Sequence, residues 1–367
     1  MTAVAELSAG GEKLGRYQLI RRVAVGGMAE IYLARLPGVG FEDAGKLVVI
    51  KRILPQHALD PELLRMFLDE ARLSATLTHP HITEVYDVGT DGDMPFFVME
   101  YVHGSNLRQL MQAHARVTPA AHAPERGPAS PDRASAGGAG PSQGPEQNAP
   151  LPLAHAVGIV AAAAAGLHHA HAKRGPSGEP LHIVHRDVSP SNVLVSYDGS
   201  VKVSDFGIAK WAYQRTQTQE GALKGKFAYM SPEQCRGKAV DARSDVFALG
   251  TLLYELTTGA PPFAADTDFE ILNKIVSGAP EAPRWHDGRE YPPALAAIVM
   301  RALAREVDDR TATAQALQVE LETFARAERL EVSTVALGAF MRSLFADELA
   351  AWQEAQRAGQ SLGEHLA

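Results

Sequence analysis

His185-Arg186-Asp187-Val188-Ser189-Pro190-Ser191-Asn192, followed by Val193-Leu194-Val195, a turn, Val201-Lys202-Val203 and Asp205-Phe206-Gly207, is the run on which the reading of this chain turns. Two loops each present acidic or amide oxygens, and the short hairpin between them fixes their separation. Val193 and Val195 alternate with their neighbours, and Val201 and Val203 do the same on the return. Asp198-Gly199 between them is a pair favoured for a two-residue type I′ turn. Asp187, Asn192 and Asp205 therefore converge on one place. Such an oxygen set suits a hard cation. Mg²⁺ usually takes one or two protein carboxylates and completes its shell with water and the phosphate oxygens of a nucleotide. One acid beyond that need is left over and can accept a proton.

The combination of His185-Arg186-Asp187, an Asn five residues after that Asp, and Asp205-Phe206-Gly207 at this distance resembles the catalytic core of protein kinases. By pattern it is most similar to the bacterial serine/threonine kinases of eukaryotic type, from about residue 17 to about residue 324. The resemblance implies an α+β, two-lobed fold. A small lobe, about 15–102, would hold a five-stranded β-sheet and one helix; a larger, mainly α-helical lobe, about 103–324, would follow. It also implies ATP between the lobes, Mg²⁺ on Asn192 and Asp205, and transfer of the γ-phosphoryl group to a protein serine or threonine. Asp187 would orient and deprotonate the acceptor, the division of labour known for protein kinases as a class. Pro190 points, by family pattern, to serine or threonine over tyrosine. The implied partners are ATP and Ser/Thr-bearing proteins, with a transient homodimer for autophosphorylation in trans.

Composition sets outer bounds. With 367 residues, 46% of them hydrophobic, the chain can bury a large core. Its net charge of −8 argues against non-specific binding to nucleic acid or anionic membrane. The single cysteine, Cys235, excludes an intramolecular disulfide, fits a reducing compartment and reads as a small buried residue. No apolar run approaches the about 18 residues of a spanning helix, the nearest being 157–167, and the opening residues lack the basic start of a signal peptide. The expectation is a cytoplasmic protein without a membrane span. Many members of the resembling group carry a spanning helix after the kinase region, and its absence here is a departure unless the chain is a fragment.

In chain order, residues 1–14 are small and polar and read as a disordered tail. Strands are expected at 17–25, 30–36 and 47–53, with Gly26-Gly27 as the first turn, and at 83–89 and 96–101. The family's phosphate-covering loop follows G-x-G-x-x-G; here the positions are Ala24, Gly26 and Ala29, so only the middle glycine remains and a plain hairpin turn is the alternative. The resemblance places Val23, Ala24, Gly26, Ala29, Ile31, Val49 and Leu194 around the nucleotide and Lys51 on its α- and β-phosphates. Met99 falls at the back of the pocket, and Glu100 and Val102 at the adenine edge. A helix should start with Asp60 as cap, Pro61 in its first turn and a staple between Leu59 and Leu64. Leu63, Leu64, Phe67, Leu68 and Ala71 form its apolar face, and Glu70 beside them is by resemblance the partner of Lys51.

Residues 115–152 turn to Ala, Pro, Gly and Ser and read as a disordered insertion, a proline-rich docking site being the alternative. The helix at 153–172 ends in His168, His169 and His171, whose spacing suits neither a common zinc finger nor a helical pair four residues apart. By resemblance Glu233 of Ser231-Pro232-Glu233 pairs with Arg310, Asp245 braces the catalytic loop from a buried helix, and Thr216 and Thr218 are phosphate acceptors for which Arg186 is the waiting cation. Serine/threonine kinases usually carry Lys two residues after the catalytic Asp; this chain has Ser189 there, and Lys226 is a candidate substitute from the opposite side. In the 325–367 extension, Leu337, Met341, Leu344, Phe345, Glu348 and Trp352 share one helical side, read as packing on the larger lobe. Two rival functions are a nucleotide-binding pseudokinase scaffold and a small-molecule phosphotransferase of kinase-like fold. The second lacks a Ser231-Pro232-Glu233 type of motif.

Overall fold

Alternation of apolar and polar residues builds the smaller lobe. The computed structural model describes residues 12–37, 45–118, 148–206, 227–285 and 287–366. Strands β1 (Lys13–Leu14), β2 (Tyr17–Val25), β3 (Ala29–Leu36) and β4 (Lys46–Ile53) come first, then helices α1 (Pro55–Ala58) and α2 (Pro61–Ala75), then β5 (Val85–Asp91) and β6 (Met94–Glu100). They form one antiparallel six-stranded sheet in the order β1-β2-β3-β4-β6-β5. The expected sheet had five strands. The sixth is β1, where Leu14 opposes Tyr17 with no exposed surface, so residues 13–14 belong to the sheet and not to a disordered tail.

One face of the sheet buries Leu19, Tyr32, Val48, Ile50, Phe96 and Val98. The other packs Ala29, Ile53, Phe97 and Met99 against Phe67 and Ala71 of α2. Asp60 caps α2 as expected, its carboxylate accepting from the N–H groups of Glu62 and Leu63 at 2.9 and 3.2 Å. The expected staple is absent: Leu59 is 87% exposed, and the helix start rests on the cap and Pro61.

The larger lobe begins with β7 (Gly104–Asn106) and α3 (Leu107–Val117) and continues with α4 (Leu153–His171), β8 (Val193–Ser196) and β9 (Val201–Val203). Helices α5 (Pro232–Cys235), α6 (Ala242–Thr258), α7 (Asp268–Ser277), α8 (Pro293–Ala302) and α9 (Ala314–Ala327) complete it. Packed chain reaches into the expected insertion from both sides. α3 runs to Val117, and Leu151 is buried with its N–H on Leu256 O at 2.8 Å. Residues 119–147 lie outside the described part. α4 is 19 residues and, by length and composition alone, long and apolar enough to cross a bilayer, contrary to the expectation that no run approaches that length. Ala156, Val160, Ala164, Leu167 and Ala170 nevertheless have no exposed surface, because α4 is the central helix of the lobe, packed on α6 and α9. Its alanines let those neighbours approach closely.

The β8–β9 turn is not the expected two-residue type I′. Ser196 N–H donates to Ser200 O at 2.9 Å, and of the loop residues only Gly199 is left-handed, at φ +92°. A three-residue loop closed by a left-handed glycine is the result. The extension is α10 (Thr334–Leu344), α11 (Ala346–Arg357) and α12 (Leu362–His365). Leu337, Met341 and Phe345 join the larger-lobe core, but Glu348 is exposed and the helical line breaks at Phe345. Beyond that break α11 runs along the cleft and α12 rests on the smaller lobe, which corrects the expectation that the extension packs on the larger lobe.

The expected ion pair of the larger lobe is present and buried. Arg310 Nη1 and Nη2 donate to the two carboxylate oxygens of Glu233 at 2.8 and 3.1 Å, and Arg310 Nε donates to Ala304 O at 3.0 Å. Burial pushes the Glu233 carboxyl up, but Arg310 and then Ser244 outweigh that and hold it below the usual range. Arg310→Met leaves a buried carboxylate unpaired and should lower the urea unfolding free energy by about 3–5 kcal/mol. Adding Glu233→Leu should recover most of that loss. The Glu233 contribution is complete above the ordinary carboxyl value of about 4.3 and is lost as pH falls through the lower folded value. The parent's urea midpoint should therefore fall more steeply below about pH 4 than that of the Arg310→Met, Glu233→Leu double variant.

Candidate active site

Lys51 sits mid-strand on β4, between Ile31 of β3 and Phe97 of β6, so its side chain leaves the sheet on the α2 side. There its Nζ donates to Asp205 Oδ1 at 3.0 Å and to Glu70 Oε1 of α2. Lys51 and Glu70 are 6% and 3% exposed. Burial disfavours the ammonium, but the charges of Asp205 and Glu70 outweigh it and hold the pKa above the ordinary lysine value. Three residues far apart in sequence are thus locked into one charged cluster across both lobes.

The catalytic loop is hung from α6. Asp245, 1% exposed, accepts the His185 N–H at 2.8 Å through Oδ2 and the Arg186 N–H at 2.9 Å through Oδ1. His171 Nε2 lies 2.7 Å from Oδ2. Burial would raise the Asp245 pKa, yet the hydrogen bonds from His171 and from the His185 N–H hold it below the usual range. Pinned in this way, Arg186 adopts φ +66°; Asp205, on the other loop, is also left-handed at φ +58°. Left-handed backbone at a residue other than glycine costs about 1–3 kcal/mol and persists where neighbours over-determine it. His185 supplies a further constraint: its Nδ1 accepts the Asp187 N–H at 3.2 Å, so Nε2 carries the proton and donates to Ser204 O at 3.0 Å. Both oxygen-bearing loops are in that way joined through one imidazole.

Asn192 Nδ2 donates to Asp187 O at 2.8 Å and to Asp187 Oδ2 at 2.9 Å, which orients the Asp187 carboxylate. Asn192 and Asp205 line a cleft of about 1170 Å³ together with Val23, Ala24, Ile31, Val49, Met99, Glu100, Val102 and Leu194. The last eight are positions at which the nucleotide was expected; Lys51, expected on its phosphates, is not among the lining residues. The two donors, one amide and one carboxylate, match what Mg²⁺ takes from a protein when phosphate and water supply the rest.

Two expected nucleotide contacts are corrected. Ala29 is on the cleft face of β3 but at its α2 end, covered by Ile53 and Phe67 and 3% exposed. Gly26 does not line the cleft, and its N–H, the group expected to approach phosphate, donates to Ala29 O at 2.8 Å within the turn. Ser189 is buried, its Oγ without a hydrogen-bond partner among the described residues. Lys226, Thr216 and Thr218 lie outside those residues. Sequence reasoning missed the role of His171, because a histidine in the last turn of an alanine-rich helix carries no mark of the aspartate it meets 74 positions later. It also missed the bridge of Lys202 Nζ to Glu100 Oε2 at 2.9 Å, which ties β9 to the end of β6.

A profile described as protein tyrosine and serine/threonine kinase matches residues 17–321. The tyrosine-protein kinase MasK of Myxococcus xanthus is 39% identical over 335 residues, 91% of this chain and 47% of MasK. The serine/threonine-protein kinase PrkC of Bacillus subtilis is 32% identical over 319 residues, 86% of this chain and 41% of PrkC. The chain thus spans less than half the length of these curated relatives. Among solved structures, the PknI kinase domain of Mycobacterium tuberculosis aligns with a TM-score of 0.56 and 26% identity, over 86% of this chain and 98% of that one. A match that begins at β2 and ends within α9 takes in both lobes and the cleft between them, and on that ground the chain belongs to the protein kinase family.

Proposed function

We propose that this chain is an ATP-dependent protein kinase that phosphorylates serine or threonine, with autophosphorylation in its activation segment. The observation that carries the reading is the closed Lys51, Glu70 and Asp205 cluster beside an oriented Asp187. In this reading Lys51 meets the α- and β-phosphates, with Glu70 holding it straight. Met99 backs the adenine, whose edge meets the backbone of Glu100 and Val102. Asn192 and Asp205 would hold Mg²⁺, which when bound would supply positive charge beside the transferred phosphoryl group. Asp187 accepts the hydroxyl proton as the new O–P bond forms and the bond to ADP breaks. A pseudokinase scaffold has no use for an acid oriented in this way. We place the reaction in the cytoplasm, in keeping with the single cysteine.

A second reading concerns the acceptor. MasK, 39% identical, is named a tyrosine kinase, so tyrosine is the alternative to the serine or threonine that Pro190 suggests. Incubation of the pure protein with labelled ATP and Mg²⁺, followed by phosphoamino-acid mapping, should give phosphoserine and phosphothreonine, with label on Thr216 or Thr218. Predominant phosphotyrosine would reassign the acceptor. Asp187→Asn should keep nucleotide binding and lose about 10²- to 10⁴-fold in turnover, the contribution of a general base. Turnover equal to the parent's would remove Asp187 from the mechanism.

The activation switch and the missing lysine complete the proposal. Arg186 Nε has no hydrogen-bond partner among the described residues, which suits a cation kept for a phosphate on Thr216 or Thr218. Ser189 cannot supply positive charge to the transferred phosphoryl group, and Lys226 is our candidate to do so. Lys226→Met should lower kcat at least about tenfold with little change in ATP affinity. An unchanged kcat would refute the role of Lys226.

A further inference from the structure

The nucleotide cleft has an outer wall that neither lobe provides. α10 docks on the β8–β9 hairpin, where Arg342 Nη1 donates to Tyr197 O at 2.8 Å and the Tyr197 and Phe345 rings lie 5.7 Å apart. α11 then carries Leu349 and Trp352 to the edge of the cleft. α12 ends the crossing on the smaller lobe. Gly363 is buried there, and a Cβ on it would lie 2.7 Å from Arg35 Nη2, 3.1 Å from Ile20 Cδ1 and 3.2 Å from Leu47 Cδ2. These three belong to β3, β2 and β4. Arg35 Nη2 also donates to Ser361 Oγ at 2.9 Å, and the Trp352 and His365 rings, 5.5 Å apart, join α11 to α12.

One segment is therefore anchored on both lobes and lines the space between them. We infer that residues 345–366 are a strap that completes the nucleotide site in cis, holding the lobes at the separation the nucleotide needs and lending Leu349 and Trp352 to its outer wall. This rests on the nucleotide-binding reading above. The strap bounds the cleft without filling it: about 1170 Å³ remains, more than the roughly 300–1,000 Å³ of an ordinary ligand pocket. Pre-forming that wall removes an ordering cost that nucleotide binding would otherwise bear, so the strap acts on affinity and not on the chemical step.

Two variants of the full chain test this, with MgATP binding by calorimetry and steady-state kinetics as readouts. Gly363→Val forces α12 off the sheet, while Trp352→Ala keeps the anchor and removes the wall. Each should raise both Kd and KM for ATP at least about fivefold, with kcat and the KM for the protein substrate within about twofold of the parent, because only the binding-competent fraction changes. A merely structural role would lower the melting temperature and leave this split unseen. Kd and KM for ATP that are unchanged or lower in both variants overturn the strap, given a parent that binds MgATP. A parent that does not bind MgATP overturns the nucleotide reading and the strap with it.

Discussion

An ammonium group nearly sealed from water, Lys51 between Glu70 and Asp205, is the constraint on which the rest of the structure depends. A buried lysine stays charged only beside compensating carboxylates, and here each carboxylate arrives on a different element. Glu70 requires α2 to lie against the sheet, which Phe67 and Ala71 secure through Ile53 and Phe97. Asp205 requires the β8–β9 hairpin to hold its loop under the sheet, which the Ile82 and Val203 bridge and the Thr83 N–H to Val203 O bond at 3.0 Å help to do. Losing either packing contact would strand a charge. The lobes are in that sense interlocked by electrostatics before any ligand enters.

Asp245 plays the corresponding part in the larger lobe. A carboxylate has acceptor capacity for several donors, and this one takes two consecutive backbone N–H groups and an imidazole. Satisfying those groups from one rigid helix lets the loop hold Arg186 in its left-handed conformation. Gln234 adds a further tie, its Nε2 donating to Arg186 O at 2.9 Å, so the loop is also fixed to the segment that carries Glu233. Position is thereby handed from the buried ion pair of Glu233 and Arg310 to the loop that carries Asp187.

What the sequence made legible follows from the range of the interactions involved. The hairpin, the cap at Asp60 and the apolar face of α2 are local, and their residues announce them. The partners of Lys51 and Asp245 are remote, and only the family pattern brought them into view. The misses fall where tertiary contact overrides local preference. Asp198-Gly199 suits a type I′ turn in isolation, but α10 presses on that loop and a longer one forms. Leu59 suits a staple, but no apolar surface covers it. Ala29 suits a phosphate loop by position, but Phe67 and Ile53 take its methyl group. The crossing of the extension back to the smaller lobe had no mark at all, because α12 is four residues long and its key position is a glycine whose merit is the absence of a side chain.

The contact between α10 and the β8–β9 loop bears on how this chain can vary. A Cβ on Gly199 would lie 1.9 Å from Thr334 O, and one on Gly338 would lie 2.7 Å from Asp198 O. Surface hairpin loops ordinarily tolerate insertions and drift in length among homologues. This one has a helix backbone resting on it, so its length and its glycine are frozen for as long as α10 stays docked. Descendants that lengthen the loop must reroute the extension in the same step, and those that shed the extension free the loop to diversify.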